Sequence, residues 1–162
     1  MSELILENIQ SYDEFLFEFL DVMQRLAGIM VIVDDKVLLV KPKKFKGVEE
    51  KWSIPKGKVG KQSIINSALL ELKEETGVIL PKETLNGVEK TKVFYKKSDK
   101  VKELTIFVVK MDKKDLTVDM NKKWEVLKKH FDTDEVYKAK FFTKRQAMNK
   151  LESGQITLLK FM

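Results

Sequence analysis

Three carboxylates and their spacing carry the most chemistry in this sequence. Glu71, Glu74 and Glu75 lie in the stretch IPKGKVGKQSIINSALLELKEETGVIL, followed directly by Thr76 and Gly77. At about 100° per residue, Glu71 and Glu75 stack on one face of a helix with Glu74 beside them. Like charges at that spacing repel and destabilise an isolated helix. A hard divalent cation, which takes oxygen ligands, offsets the repulsion. The alternative is a solvated acidic face, as in most charge runs. Three features weigh against it. The carboxylates form a narrow stripe. The stripe borders an apolar one of Ile64, Ile65, Ala68, Leu69 and Leu72. A glycine-containing loop, PKGKVG, enters the helix, and Gly77 is placed to close it as a left-handed cap.

The chemistry available to a bound cation is limited by composition. The chain has no cysteine and a single histidine, His130, so thiolate and histidine-cluster sites are excluded. Oxygen ligation favours magnesium or manganese over zinc. Lys56, Gly57 and Lys58, with Lys61 beyond them, place positive charge ahead of a helix N-terminus, whose free N–H groups suit anions. Phosphates held at this loop would face the carboxylate stripe. A cation there withdraws charge from phosphoryl oxygens and acidifies water, and a carboxylate free of the cation can take the proton. Such an arrangement would support metal-assisted hydrolysis of a phosphoanhydride. The formal net charge of +6 suits an anionic substrate or RNA, although lysine-rich surfaces also serve solubility.

The elements that must position these groups are readable from periodicity. The length of 162 residues suits one domain. Ser11 to Leu26 reads as a helix opened by a capping box of Ser11 and Glu14, with Phe15, Leu16, Phe19, Leu20, Val22, Met23 and Leu26 on one broad face. It packs on the core or over a sheet edge, or alternatively forms a homodimer interface. Residues 27–33 and 36–41 read as a hairpin turning at Asp34 and Asp35. Trp52 to Pro55 is a short strand running into the PKG turn, and Gln62 or Ser63 starts the acidic helix. Lys90 to Lys96 and Lys102 to Met111 read as strands. Asp112 to Asp134 is a charged insert with a short helix over Trp124, Leu127 and Phe131. Val136 to Phe142 is a strand, after which Thr143 and Gln146 open a helix that Gly154 ends. The last stretch, QITLLKFM, is ambiguous between helix and strand.

The acidic helix resembles the box of the Nudix hydrolase family, G-x5-E-x7-R-E-U-x-E-E-x-G-U with U aliphatic. ELKEETGV, from Glu71 to Val78, matches its second half, including Leu72 and Val78. The first half departs from it: Gly57 fits the opening glycine if the loop is one residue shorter, the first Glu falls on Gln62 and the Arg on Leu70. Those two are usually described as supporting the loop–helix geometry, so their joint loss reads as a rebuilt support. The resemblance covers residues 26–162. It implies an α/β fold, an α-β-α sandwich with a mixed sheet, to which residues 1–25 add a helical extension. It also implies a magnesium- or manganese-dependent pyrophosphohydrolase acting on a nucleotide polyphosphate. The PKG turn and the tail are most similar to the diadenosine tetraphosphate hydrolase branch. RNA 5′-end trimming and an inactive nucleotide- or RNA-binding module are the alternatives.

Carried over onto this sequence, the resemblance makes Glu71, Glu74 and Glu75 the metal ligands or the base, with Glu75 a direct ligand. Many members recruit a further Glu outside the box; Glu135 is the first candidate and Glu103 the second, with an ordinary exposed carboxylate as the alternative for both. Trp52, Phe94, Tyr95, Trp124 and Phe131 are candidates to stack on a nucleobase, each otherwise a core residue. His130 reads as a surface residue. The longest apolar run, Leu26 to Val33, is too short to span a bilayer, and the acidic N-terminus lacks a signal-peptide layout. With no cysteine, a cytoplasmic location is expected.

Overall fold

A computed structural model of the protein describes residues 23–43, 51–97 and 99–162. One mixed sheet organises them. Its strands are β1 (Met23–Val33), β2 (Lys36–Pro42), β3 (Lys56–Lys58), β4 (Glu89–Lys97), β5 (Lys100–Lys110) and β6 (Val136–Thr143). The order is β4-β5-β1-β2-β6, with β3 pairing β1 off this path. β1 runs parallel to β5 along most of its length and antiparallel to β2 and β3. The remaining pairs, β2 with β6 and β4 with β5, are antiparallel.

β1 is central because both its faces are apolar, as expected of a strand covered on both sides. Ala27, Ile29, Val31 and Val33 face one core cluster, where Ala68 and Leu72 of the long helix α1 (Ile64–Thr76) meet Phe107, Val109 and Phe141. Leu26, Met30 and Ile32 face a second cluster, under the short helix α2 (Lys144–Lys150) and the 3-10 segment Ser153–Phe161. The two clusters are the two interiors of the expected α-β-α sandwich.

Several expectations hold in detail. Asp34 and Asp35 both have positive φ, 48° and 61°, as a two-residue hairpin turn requires. α1 is capped by Ser63, whose side chain accepts from Asn66 N–H, and closed by Gly77 at φ 81°. α2 opens with the Thr143–Gln146 capping box.

Others are corrected. Met23 to Leu26 are strand, not the end of a helix, because they complete the parallel ladder with β5. The rest of the expected N-terminal helix, and the homodimer interface assigned to it, lie outside the described residues. Lys56, Gly57 and Lys58 form a strand against β1, not a turn. The helix expected over Trp124, Leu127 and Phe131 is absent. Trp124 takes φ 61°, incompatible with a helix, and only Lys128–His130 makes a 3-10 turn. The aromatic spacing instead reflects contact with the sheet: Trp124 meets Phe141 edge-on at 5.8 Å, and Phe131 packs on the first core cluster. α2 ends at Leu151, ahead of Gly154, and the final stretch is 3-10.

Candidate active site

The loop that delivers Lys56 and Gly57 is held by backbone bonds on both sides. Pro55 O accepts from Ile29 N–H at 3.2 Å, and Val59 N–H donates to Arg25 O at 3.0 Å. Between these anchors Lys56 N–H donates to Glu75 Oε1 at 2.8 Å. The next residue carries no side chain for a steric reason. A Cβ on Gly57 would lie 2.0 Å from Glu71 Cδ and 2.2 Å from its Oε1. Strand β3 and helix α1 therefore meet through carboxylates, with Glu71 over Gly57 and Glu75 on the neighbouring N–H.

This packing has an electrostatic cost. Burial pushes the Glu75 carboxyl up to about 8, helped by the Glu71 and Glu135 charges and opposed by Lys56. Glu71 is raised by burial and then by Glu74 and Glu135. Burial draws Lys56 below the usual lysine range, against the pull of Glu152 and Glu75. Burial is the first cause of both carboxyl shifts, and like charge adds to it, including that of Glu135, 60 positions from Glu75 in sequence.

A cavity of 480 Å³ opens on these groups. Glu71, Glu135, Lys56, Gly57, Lys58, Gln24, Tyr95, Lys97 and Lys102 are among the residues that line it. Gln24, Lys102 and Tyr95 lie in one row across β1, β5 and β4, being register partners. Lys102 Nζ donates to Gln24 Oε1. Its ammonium is lowered first by partial burial and then by the charges of Lys56, Lys100, Lys58 and Lys97. Lys97 pairs with Glu152. Carboxylates, the acidic wall, thus share one cavity with a concentration of lysine charge, the basic wall.

Of the residues singled out from sequence, the cavity brings together Glu71, Glu135, Lys56, Gly57, Lys58 and Tyr95, with Glu75 directly behind them. Glu74 is outside the lining and acts on Glu71 through its charge. Glu103 is elsewhere: it is buried between Arg25 at 3.3 Å and Lys92 at 3.0 Å. Trp52 is core, edge-on to Phe142 at 4.7 Å, and Phe94 is 58% exposed outside the cavity. His130 is not a plain surface residue; it packs against Gly77 and accepts from Asp119 N–H at 3.0 Å, so the insert braces the end of α1. The N-terminus of α1 is not part of the cavity, whose positive charge comes from lysine side chains. Gln62 and Leu70 line a separate cleft of 220 Å³ with Lys58, Lys61 and Glu71.

Sequence reasoning missed Gln24, Lys97 and Lys102. The alternation in β4, which puts Val93, Tyr95 and Lys97 on one side, could have found Lys97. Gln24 reads from sequence as part of the expected helix, which hides it.

The donor set on the acidic wall is oxygen only, and its raised carboxyls would be relieved by a hard cation. Among the described residues no three acidic or histidine side chains form a ready-made cage.

The NUDIX domain model matches residues 23–160, and the chain belongs to the Nudix family, hydrolases that cleave acid anhydrides. No curated protein sequence matches it significantly. Among solved structures it is similar to an Ap4A hydrolase from C. elegans in a binary complex, at 20% identity over 85% of this chain and 93% of that one, with a TM-score of 0.62. A MutT NUDIX hydrolase from Burkholderia pseudomallei matches at 15% identity over 85% and 96%, with a TM-score of 0.63. A bifunctional NMN adenylyltransferase/ADP ribose pyrophosphatase from Francisella tularensis, complexed with AMP and a manganese ion, matches at 17% identity over 93% of this chain and 43% of that one, with a TM-score of 0.53. At these identities the likeness is one of fold. Among the described residues no helix is long and apolar enough to cross a membrane.

Proposed function

We propose that the protein hydrolyses a phosphoanhydride within a nucleotide polyphosphate, a dinucleoside polyphosphate or a related nucleotide, in the cytoplasm. The observation that carries this reading is the meeting of both charges in one cavity: Glu71 and Glu135 line it together with Lys58, Lys97 and Lys102. A phosphomonoester would need far less of this basic surface than a polyphosphate chain does.

On this reading each residue takes a role from its place in the cavity. Glu71 and Glu75 would hold magnesium or manganese, with Glu74 reinforcing the negative field at Glu71. The bound cation supplies Lewis-acid polarisation of the phosphoryl oxygens. Gly57 lets Glu71 approach the strand, and Lys56 N–H fixes the orientation of Glu75. Lys56 offsets part of the acidic wall's charge. Lys58, Lys97 and Lys102 orient the phosphate chain and neutralise it. Glu135, which comes to the acidic wall from outside α1, accepts the proton of the attacking water at its carboxylate. Tyr95 offers a ring face to a base beside the phosphates.

The test is steady-state kinetics with product identification on a panel: dinucleoside tetraphosphate, ADP-ribose, nucleoside triphosphate, 5′-triphosphate RNA and a simple phosphomonoester. Each is run with magnesium and with excess chelator. Anhydride cleavage that requires the cation is expected, with the monoester inert. Preference for the RNA would move the reading to RNA 5′ ends. Turnover in excess chelator, or hydrolysis of the monoester alone, would sink it; binding with no turnover of any substrate would favour a binding module.

A further inference from the structure

We propose that Gln155 is a positioning residue of the acidic wall, acting on Glu75 from the far end of the sequence. The inference rests on the role given to Glu75 above.

Gln155 sits in the C-terminal 3-10 segment among Ile156, Leu158 and Leu159, and it is the polar exception there: its exposure is 0%. Its amide is engaged mainly by a remote stretch of chain, and Nε2 also reaches Glu152 Oε2 at 3.5 Å. Oε1 accepts from Ile54 N–H at 2.9 Å, and Nε2 donates to Ser53 Oγ at 3.0 Å. The Ser53 hydroxyl in turn donates to Ile54 O at 2.8 Å. The bond to Ile54 spans 101 positions in sequence. An apolar side chain at 155 would fill the space but leave the Ile54 N–H buried without a partner, a state that folded proteins avoid.

The chain immediately after Ile54 makes this more than a core hydrogen bond. Pro55 has φ fixed by its ring, so the orientation of Ile54 passes with little slack to the next peptide. That peptide carries the Lys56 N–H that donates to Glu75 Oε1 at 2.8 Å, while Pro55 O is pinned by Ile29 N–H. The path from Gln155 to Glu75 is therefore two hydrogen bonds joined by two residues, Ile54 and Pro55, the second with its φ fixed. The same segment of chain supplies Glu152, which pairs with Lys97 of the basic wall.

The experiment compares Gln155→Met with Ser53→Ala, which removes the hydroxyl bonded to the Gln155 amide and to Ile54 O but keeps Gln155 Oε1 as the acceptor for Ile54 N–H. In the metal-free protein, amide exchange is read at Ile54 and Lys56. Gln155→Met should accelerate both by about tenfold or more, as local opening does, and Ser53→Ala should leave Lys56 near the parent rate. With magnesium and the best polyphosphate of the panel, Gln155→Met should lower kcat by about 10- to 100-fold, the scale of a small misplacement, while KM changes less than about twofold. An unchanged Lys56 exchange rate in Gln155→Met overturns the proposal. So does an equal kcat loss in Ser53→Ala, which would mean that turnover tracks stability alone. If Gln155→Met does not fold, Gln155→Glu retains the accepting oxygen; it should keep Lys56 protected, and free exchange at Lys56 there overturns the idea. The exchange arm needs no substrate. An exchange response with no turnover of any polyphosphate would therefore sink the proposed reaction and leave the clamp standing.

Discussion

The two walls of the cavity are built in opposite ways. The acidic wall comes mainly from one helix and the strand it presses against. Its carboxylates are fixed by contacts with little tolerance: Glu71 over Gly57, Glu75 on the Lys56 N–H. The basic wall comes from β1, β3, β4 and β5, and its lysines are long side chains, of which Lys97 has 53% of its side chain exposed. Fixed groups in a partly dry setting suit a role in the reaction itself, where preorganisation counts. Exposed lysines suit attraction and orientation of an anion, screened by salt. The difference predicts that damage to one wall shows in turnover and damage to the other in apparent affinity.

The largest expected effect tests the acidic wall at its centre. Glu75→Gln should lower kcat by about 10²–10⁴-fold, the usual range for a group acting on protons or charge in the transition state, without loss of the fold. Steady-state kinetics and circular dichroism check this, and near-parental turnover would remove Glu75 from the machinery. Next is Gly57→Ala, in which a methyl meets the Glu71 carboxylate. A shift of Glu71 by even an ångström should cost roughly 10²-fold in kcat. Gly60→Ala is the control, since its Cβ meets nothing within 4 Å; equal losses in the two would mean that loop stiffness, not the contact with Glu71, is being measured.

The basic wall should respond more mildly. Lys102→Ala should raise KM by roughly threefold, in keeping with the modest worth of a solvent-accessible charge pair, with kcat little changed. The increase should shrink as salt rises from low to high concentration. A drop in kcat with KM unchanged would erase the distinction between the walls.

The smallest effect is a pH slope in stability. Glu75 is raised from 4.5 to about 8 in the folded protein. A raised carboxyl contributes stability that is fully present below pH 4.5 and is lost as pH rises through about 8, because the unfolded chain then binds fewer protons than the native one. Metal-free parent protein should therefore lose Tm by a few degrees relative to Glu75→Gln across that window. Magnesium should oppose the loss, since a cation favours the ionised carboxylates. Parallel Tm curves for parent and variant would mean that Glu75 is not buried as described.

Legibility in the sequence divides along the range of the contacts involved. Helix α1, its Ser63 start and its Gly77 stop can be read because caps and i, i+4 neighbours lie within a few residues of one another. The hairpin at Asp34–Asp35 is readable for the same reason. The helical spacing of Trp124, Leu127 and Phe131 misleads because contact with Phe141 and the sheet, not local propensity, shapes that segment. KGK reads as a turn because Lys56–Lys58 becomes a strand only when β1 lies beside it.

By itself, the sequence determined the acidic helix, the oxygen-only donor chemistry and the positive charge that an anionic substrate would meet. Tertiary structure alone decided that Glu135 joins Glu71, that Glu103 is instead locked between Arg25 and Lys92, and that Gln24, Lys102 and Tyr95 line up across three strands. The parallel register of β1 with β5 pairs Gln24 with Lys102, residues 78 positions apart. Register of this kind is set by which hydrophobic faces are buried together, a property of the assembled core and not of any window of sequence.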